Sequence, residues 1–184
     1  MKNRTELAKY FKELGFMVGA EIGVAQGYFS RTICEENPGV KLYCIDPWEV
    51  YGEYRDFAKK DTFETMYNTA KEILAPYDCT FIKKFSMDAV KDFDDGALDF
   101  VFIDGNHQYK YVKEDIEMWT PKVRVGGIVS LHDYYKTKAG NVGVIRAVDE
   151  YVKEYGYKLK IIDWDKDNPV RDDRQPCAYF LKSH

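Results

Sequence analysis

The stretch Leu98–Tyr134, LDFVFIDGNHQYKYVKEDIEMWTPKVRVGGIVSLHDY, decides the fold of this chain. The apolar run Phe100–Ile103 predicts one strand, which ends at Asp104. The run Ile128–Leu131 predicts a second strand, which ends at Asp133, and the segment between the two has a helical period. Ligands of open parallel sheets bind outside the carboxyl ends of the strands. The two acids therefore predict a strand, helix, strand unit with one shared site, and hence an enzyme.

Five further apolar runs extend this pattern along the chain: Met17–Ile22, Lys41–Ile45, Cys79–Ile82, Lys158–Ile162 and Cys177–Leu181. Alternation of strands and helices favours parallel pairing through right-handed crossovers. We therefore expect an α/β, three-layer sandwich with a Rossmann-like, mostly parallel seven-stranded sheet. The connection 163–176 has no room for a helix, so the last strand is expected to turn back antiparallel at the end of the sheet.

The helices are predicted from apolar positions that share one face. The first helix is expected to begin after Asn3, and its predicted buried stripe is Leu7, Phe11 and Leu14. In the helix after the fifth strand, the predicted stripe is Ile145, Val148, Val152 and Tyr155. These stripes would pack against the two faces of the sheet.

Composition limits the classes of protein that fit. The 184 residues suit one domain over 1–184, with no linker and no apolar run of membrane-spanning length. The polar N-terminus lacks an apolar signal core, so we expect a cytoplasmic protein with no membrane partner. A net charge of −4 gives no broad basic face, and no nucleic-acid partner is expected. The oligomeric state stays open. The four cysteines are far apart in the sequence and are expected to be reduced core thiols: Cys34, Cys44, Cys79 and Cys177.

The residues at the ends of the first two strands limit the class of ligand that the site can bind. The turn EIGVAQG, residues 21–27, is rich in glycine, but it is neither GxGxxG nor a GK[ST] phosphate loop, so a pyrophosphate is disfavoured. Asp46 follows Gly27 by nineteen positions, where nucleotide-binding units of this type hold a ribose diol. These features suggest an adenosine that bears a cationic or zwitterionic tail. Alternatively, Gly23 and Gly27 only permit a tight turn, and Asp46 only caps the segment that follows.

The chain resembles class I S-adenosylmethionine-dependent methyltransferases, in the branch that groups small-molecule O-methyltransferases with macrolide-sugar methyltransferases. The resemblance is carried by AEIGVAQGYFS (20–30), YCIDPW (43–48), FIDGNHQY (102–109), GGIVSLHDY (126–134) and GVIRAVDEY (143–151). It implies S-adenosylmethionine as cofactor and a small-molecule acceptor. The site residues it implies are Glu21, Gly23 and Gly27 at the methionine end, Asp46 at the ribose, Ser86 and Met87 beside the adenine, and Asp104 near the transferred methyl group.

The resemblance also implies a divalent metal at Asp104 and Asp133, as in metal-dependent members of the branch. An oxygen-only pair suits Mg²⁺, Mn²⁺ or Ca²⁺. Catechol-type relatives have Asn directly after the second acid, whereas this chain has Tyr134, so the metal stays an open expectation. His107 and His132 are the other candidates to remove the acceptor proton.

Two connections are candidate walls for the acceptor. The segment Pro47–Lys60 contains Trp48, Tyr51 and Tyr54 and is a candidate lid, although its aromatic residues would alternatively pack on a helix. The segment Tyr134–Val142 is the second candidate wall.

Methyl transfer to a sugar or phenol hydroxyl is the leading hypothesis for function. A nucleic-acid or protein methyltransferase would share the fold, but the chain has no [DNS]PP[YF] motif and no separate basic domain. A dinucleotide oxidoreductase would need the missing phosphate fingerprint. A non-catalytic module that only binds S-adenosylmethionine is the third alternative.

Overall fold

A computed structural model describes residues 1–49, 60–138, 140 and 142–184, apart from the side chains of residues 60 and 61. The strands are β1 (Val18–Ile22), β2 (Lys41–Ile45), β3 (Cys79–Ile82), β4 (Leu98–Ile103), β5 (Val123–Leu131), β6 (Lys160–Ile162) and β7 (Cys177–Leu181). The α-helices are α1 (Arg4–Glu13), α2 (Tyr28–Glu36), α3 (Lys60–Leu74), α4 (Ser86–Ala89), α5 (Tyr109–Trp119) and α6 (Gly143–Tyr155). Short 3₁₀ turns cover Val90–Asp92, Thr120–Lys122 and Arg171–Asp173.

The seven strands form one sheet in the order β3-β2-β1-β4-β5-β7-β6. Strands β1 to β5 pair in parallel, and β7 pairs antiparallel with both β5 and β6. The predicted α/β class, the mostly parallel sheet and the antiparallel last strand are confirmed.

The predicted place of the last strand at the end of the sheet is wrong, because β6 occupies that edge and β7 lies between β5 and β6. Four of the five residues of β7 are buried, whereas two of the three residues of β6 are exposed. The more apolar strand therefore takes the interior position, and the connection 163–176 is long enough to carry the chain back past β6.

Strand β4 shows how the sheet separates two cores. Val101 and Ile103 belong to the cluster that packs against α5 and α6, whereas Phe100 and Phe102 belong to the cluster under α1, α2 and α3. Successive side chains of a strand point to opposite faces, so one strand serves both layers. The three-layer arrangement is confirmed.

Two predicted helix faces need correction. Leu14 caps the C-terminus of α1 and is 37% exposed, so it lies outside the buried stripe of that helix. In α6, Tyr155 is 45% exposed. The nonpolar side chains that this helix buries follow an i, i+3, i+4, i+7, i+8 spacing that starts one position earlier than predicted: Val144, Ala147, Val148, Tyr151 and Val152.

The fifth strand begins at Val123, before the predicted start at Ile128, and therefore contains the glycine pair Gly126 and Gly127. Leu98 pairs with Val123 and Phe100 pairs with Ile128, so β5 bulges between these points. A Cβ on Gly127 would lie 2.3 Å from the carbonyl oxygen of Asp99. The glycine pair therefore marks a bulge with close backbone approach rather than a strand boundary.

All four cysteines are free, as expected. Cys34, Cys44 and Cys177 are buried in the core, whereas Cys79 is only half-buried, so the core placement is wrong for this residue. Across the part of the chain that the structure describes, no helix is both long and apolar enough to cross a bilayer.

Candidate active site

The site lies where β1, β4 and β5 end side by side. Gly23 follows β1 with φ of +89°, and a Cβ at this position would lie 2.1 Å from the carbonyl oxygen of Asp104. Only glycine fits there, because the turn after β1 packs directly on the end of β4. Asp133, at the end of β5, also has a positive φ of 55°, which aspartate tolerates better than most residues. The backbone thus brings the predicted acids to one edge of the sheet.

Asp104, His107 and Asp133 form a compact group of three possible ligands. The Nε2 atom of His107 lies 3.4 Å from Oδ1 of Asp104 and 3.2 Å from Oδ2 of Asp133. One donor atom from each of the three residues lies within 4.8 Å of the others. Two carboxylates and one imidazole suit a divalent cation, and the nitrogen favours a transition metal such as Mn²⁺ over Mg²⁺.

Tyr134 does not take the place of the asparagine in catechol-type relatives. Its hydroxyl donates to Oδ1 of Asp149 on α6 at 2.7 Å. The third donor beside the two acids is instead His107, which follows Asp104 by three positions. The D-x-x-H spacing was visible in the sequence, but it does not show that the imidazole returns to both acids.

His132 lies behind the same two carboxylates. Its Nδ1 atom is 3.3 Å from Oδ1 of Asp104 and 3.3 Å from Oδ1 of Asp133. Its Nε2 atom is buried without a hydrogen-bond partner among the described residues. Buried imidazole nitrogens are usually hydrogen-bonded, so this atom is available to a ligand at the site.

The cluster shifts the protonation of its members. Burial opposes a charged imidazole, but the two carboxylates raise the pKa of His132 to about 10. His107 has a raised pKa for the same reason, against the same opposing effect of burial. Although burial disfavours its charge, the two histidines hold the pKa of Asp104 well below its usual range. A divalent cation and the two protonated histidines would therefore compete for the same carboxylates.

A cavity of about 430 Å³ runs from this cluster across the ends of β1, β2 and β3. Several predicted cofactor residues line it: Gly23, Asp46, Ser86, Met87 and Asp104. Most of its surface is apolar, from side chains such as Ile22, Phe63 and Met66. A largely apolar cavity with a few placed polar groups is typical of a cofactor site.

Asp46 supports the turn after β1 and also faces the cavity. Its Oδ2 accepts from the backbone N–H of Ala25 at 3.0 Å, and its Oδ1 accepts from that of Trp48 at 2.7 Å. Burial raises the pKa of Asp46, and these N–H donors limit the rise. Each carboxylate oxygen has more than one lone pair, so both can accept again from a ligand. The capping role and the proposed ribose contact are compatible.

A buried chain of polar groups, which was not predicted, lies beneath Ser86. The indole Nε1 of Trp119 donates to Ser86 Oγ at 2.8 Å, and Ser86 in turn donates to the carboxylate of Asp115. Asp115 is 5% exposed and lines the larger cavity. The only signal in the sequence was an acid on the face of α5 that also carries Val112 and Ile116.

A second cavity, of about 240 Å³, lies beside the first and shares Gly23, Ala25 and Asp104 with it. Polar and charged side chains dominate its wall: Arg4, Glu21, Gln26, Asp104, His132, Asp133, Asp172 and Gln175. Glu21 is 1% exposed and accepts a hydrogen bond from Ser30, and burial raises the pKa of Glu21 to about 8. Arg4, from the first turn of α1, was not predicted.

Two residues that were expected at the site lie outside it. Gly27 lines neither cavity. It is the N-cap of α2, with φ of +79°, and a Cβ there would lie 3.0 Å from Leu74 Cδ1. Trp48 is 3% exposed, packs on Tyr67 with ring centroids 4.8 Å apart, and donates from Nε1 to the carbonyl of Ala25. Trp48 is therefore core rather than lid. Tyr51 and Tyr54 lie outside the described residues.

Comparison with known families identifies the class of protein. The family model described as a methyltransferase domain matches residues 20–134, which contain the ends of β1 to β5. The chain belongs to this methyltransferase family. The match confirms the class predicted from the sequence, with the fold of the class I S-adenosylmethionine-dependent enzymes.

Solved structures share the fold over nearly the whole chain. An O-methyltransferase from Bacillus cereus in complex with S-adenosylhomocysteine is 12% identical, with a TM-score of 0.70 over 97% of this chain and 80% of that chain. The O-methyltransferase TomG from Streptomyces achromogenes, involved in tomaymycin synthesis and solved with S-adenosylmethionine, is 14% identical, with a TM-score of 0.68 over 98% and 80%.

Curated relatives match over part of their length. A protein of Acanthamoeba polyphaga mimivirus is 30% identical over 119 residues, which are 62% of this chain and 50% of the relative. A protein of Sinorhizobium fredii is 22% identical over 116 residues, 63% of this chain and 12% of the relative. The chain thus aligns with half or less of each of these relatives.

Proposed function

We propose that this chain transfers the methyl group of S-adenosylmethionine to a hydroxyl oxygen of a small molecule, a sugar or a phenol. The observation that carries the proposal is the junction of the two cavities at Gly23, Ala25 and Asp104. A cofactor whose adenosine fills the larger cavity and whose methionine end enters the smaller one would place its sulfonium at this junction, where an acceptor beside Asp104 and Asp133 would meet it. The acceptor oxygen would then attack the methyl carbon while the bond from sulfur to methyl breaks.

The larger cavity suits the adenosine part. Asp46 would accept from the ribose hydroxyls, and Ser86 and Met87 would border the adenine. Glu21 and Gly23 would face the methionine end. Methyl transfer from a sulfonium needs little covalent help from the protein, so alignment of the acceptor oxygen is the main contribution of these walls.

The donor set fits a metal, and we propose a divalent cation at Asp104, His107 and Asp133. When bound, such an ion would lower the pKa of an acceptor hydroxyl and orient its oxygen. The mixed carboxylate and imidazole ligands favour Mn²⁺ over Mg²⁺. His132 contacts the same acids through Nδ1, so its part would be to hold their orientation; it would take the acceptor proton only in the neutral form, which a bound cation would favour.

The smaller cavity has charged groups of both signs. Its described wall has four acids, Glu21, Asp104, Asp133 and Asp172, against Arg4 and His132. The arginine already faces two carboxylates, Asp173 and Asp104. Tyr135 lines the same cavity with its ring centroid 4.9 Å from that of Trp164, and this pair offers an aromatic face for a sugar or phenol ring.

A by-product assay tests the proposal. The protein is incubated with S-adenosylmethionine and a panel of catechols, phenols and sugars, and S-adenosylhomocysteine is measured. We expect activity on at least one neutral acceptor, a loss of about 100-fold or more in EDTA, and recovery that is larger with Mn²⁺ than with Mg²⁺.

Each part of the proposal has its own contrary result. Full activity in EDTA would show that the reaction needs no metal, and would leave a histidine as the base that takes the acceptor proton. Cofactor binding without turnover on any acceptor would favour the non-catalytic module. Asp94→Asn is the matched control, since this exposed acid precedes β4 at the opposite edge of the sheet and should leave activity unchanged.

A further inference from the structure

Arg4 is a buried cation that α1 places beside the ends of β1 and β4. The residue is 6% exposed. Its Nε donates to Oδ1 of Asp173 at 2.7 Å, and its guanidinium carbon lies 4.6 Å from the centroid of the Phe29 ring. Thr5 donates to the other oxygen of Asp173 at 2.8 Å. The start of α1 is thus fixed against the 3₁₀ turn Arg171–Asp173, and the guanidinium is held at the wall of the smaller cavity.

The terminal nitrogens of Arg4 are placed for a ligand. Nη1 lies 3.6 Å from Oδ2 of Asp104, which is an ion pair but is longer than a hydrogen bond. The two terminal nitrogens carry four N–H groups in a fixed fork that matches a carboxylate. The Nε contact with Asp173 orients this fork without using these donors.

The smaller cavity begins where the methionine end of the cofactor would leave the larger one. Gly23 and Asp104 belong to both cavities, and Glu21 and Arg4 belong to the smaller one. A methionine end carries an ammonium and a carboxylate. The acids Glu21 and Asp104 suit the ammonium. Among the described residues that line the smaller cavity, Arg4 is the one arginine or lysine, and its guanidinium offers a carboxylate the paired donors that the imidazole of His132 lacks.

We propose that Arg4 binds the carboxylate of the methionine end of S-adenosylmethionine. This inference rests on the proposed function, because it takes the cofactor as given. The contact would link the docking of α1 to cofactor binding, since the same guanidinium contacts Asp173. It would also place the sulfonium near the end of β4 by anchoring the tail on the far side of Gly23.

The test compares two ligands that differ by the amino-acid end. S-adenosylhomocysteine carries the carboxylate, and 5′-methylthioadenosine lacks the whole tail. Calorimetry on Arg4→Met should show that the affinity for S-adenosylhomocysteine falls roughly 10- to 100-fold, the range for a lost charge-assisted pair. The affinity for 5′-methylthioadenosine should change less than about 2-fold. Arg4→Lys, which keeps the charge but loses the fork, should give an intermediate loss confined to S-adenosylhomocysteine.

Thr5→Ala is the matched control, because it removes a contact between α1 and the turn at Asp173 Oδ2 while it keeps the guanidinium and its pair with Asp173 Oδ1. We expect it to leave the affinity ratio of the two ligands within about 3-fold of the parent value. If Arg4→Met weakens both ligands equally, as a purely structural residue would, the proposal is overturned while the cofactor assignment stands. If the parent protein binds neither ligand, both this inference and the proposed function fail.

Binding by the parent protein alone supplies a second measurement if Arg4→Met does not fold. Decarboxylated S-adenosylmethionine keeps the sulfonium and the amine but lacks the carboxylate. We expect the parent to bind it roughly 10- to 100-fold more weakly than S-adenosylmethionine. Equal affinity for the two compounds would overturn the role of Arg4.

Discussion

Asp99 and Asp104 lie near opposite ends of the same strand, and their surroundings differ in kind. Asp99 accepts from the backbone N–H groups of Met17 and Val18 at 2.7 and 2.9 Å, and from Arg124 Nε at 2.7 Å. Asp104 instead faces His107, His132 and Arg4 at 3.3 to 3.6 Å, distances that are long for hydrogen bonds. A carboxylate whose donors are all at bonding distance holds the fold together, whereas one with cationic groups held further away is arranged around a ligand.

The largest expected effect separates these two roles. Asp104→Asn should lower methyl-transfer activity by at least about 100-fold, because it removes a charge at the junction of the cavities. Asp99→Ala should leave activity within about 3-fold but lower the free energy of unfolding by about 1 to 3 kcal/mol, since three donors lose their acceptor. Steady-state kinetics and urea unfolding measure both quantities. A stable but inactive Asp99→Ala protein would contradict the purely structural role of Asp99.

Asp46 combines the structural contacts of Asp99 with the cavity position of Asp104. It accepts two backbone N–H groups, as Asp99 does, and it lines the larger cavity, as Asp104 does. We expect Asp46→Ala to weaken S-adenosylmethionine by about 1 to 3 kcal/mol, the range for hydrogen bonds to a charged group. Calorimetry on the parent and the variant measures the change. Unchanged affinity would show that Asp46 serves only to cap the turn after β1.

The sequence predicted the sheet well because its signal is local. Each strand of the parallel part is an apolar run that ends in a glycine or a polar position, and the alternation of strands with helices leaves few topologies. The place of β7 was not predictable from the same signal. It depends on the apolar strand Cys177–Leu181 competing with Lys160–Ile162 for an interior position, which is a property of the assembled sheet.

The site was predictable only where its residues follow strands. Asp46, Asp104 and Asp133 were found because a strand end precedes each. Arg4 and Asp115 were not found, because they lie on helices and reach the cavities through tertiary packing. From the sequence alone, a buried arginine in the first turn of a helix cannot be distinguished from an exposed one.

The smallest expected effect concerns pH, where Asp99 and Asp115 should have opposite signs. Although burial works against it, the N–H donors lower the pKa of Asp99, so its contribution to stability is present above about pH 4 and is lost as the pH falls further. Burial raises the pKa of Asp115 to about 7. The folded state then binds the proton more tightly than the unfolded state, so stability falls as the pH rises from about 4 to 7.

Asp115→Asn should therefore remove a negative slope, at most about 1.4 kcal/mol per pH unit, from the unfolding free energy over that window. Urea unfolding between pH 4 and 8, with Asp94→Asn as the surface control, gives the difference. A slope that is the same in the parent and in Asp115→Asn would mean that Asp115 titrates as an ordinary carboxyl.

The most direct test of the proposed active site is a crystal structure with S-adenosylhomocysteine and Mn²⁺, measured at a wavelength where manganese scatters anomalously. We expect an anomalous peak within bonding distance of Asp104, His107 and Asp133, the ribose at Asp46, and the sulfur at the junction of the two cavities. A cofactor elsewhere on the sheet edge, or a fully loaded cofactor site whose three candidate ligands hold no manganese and point apart, would contradict it.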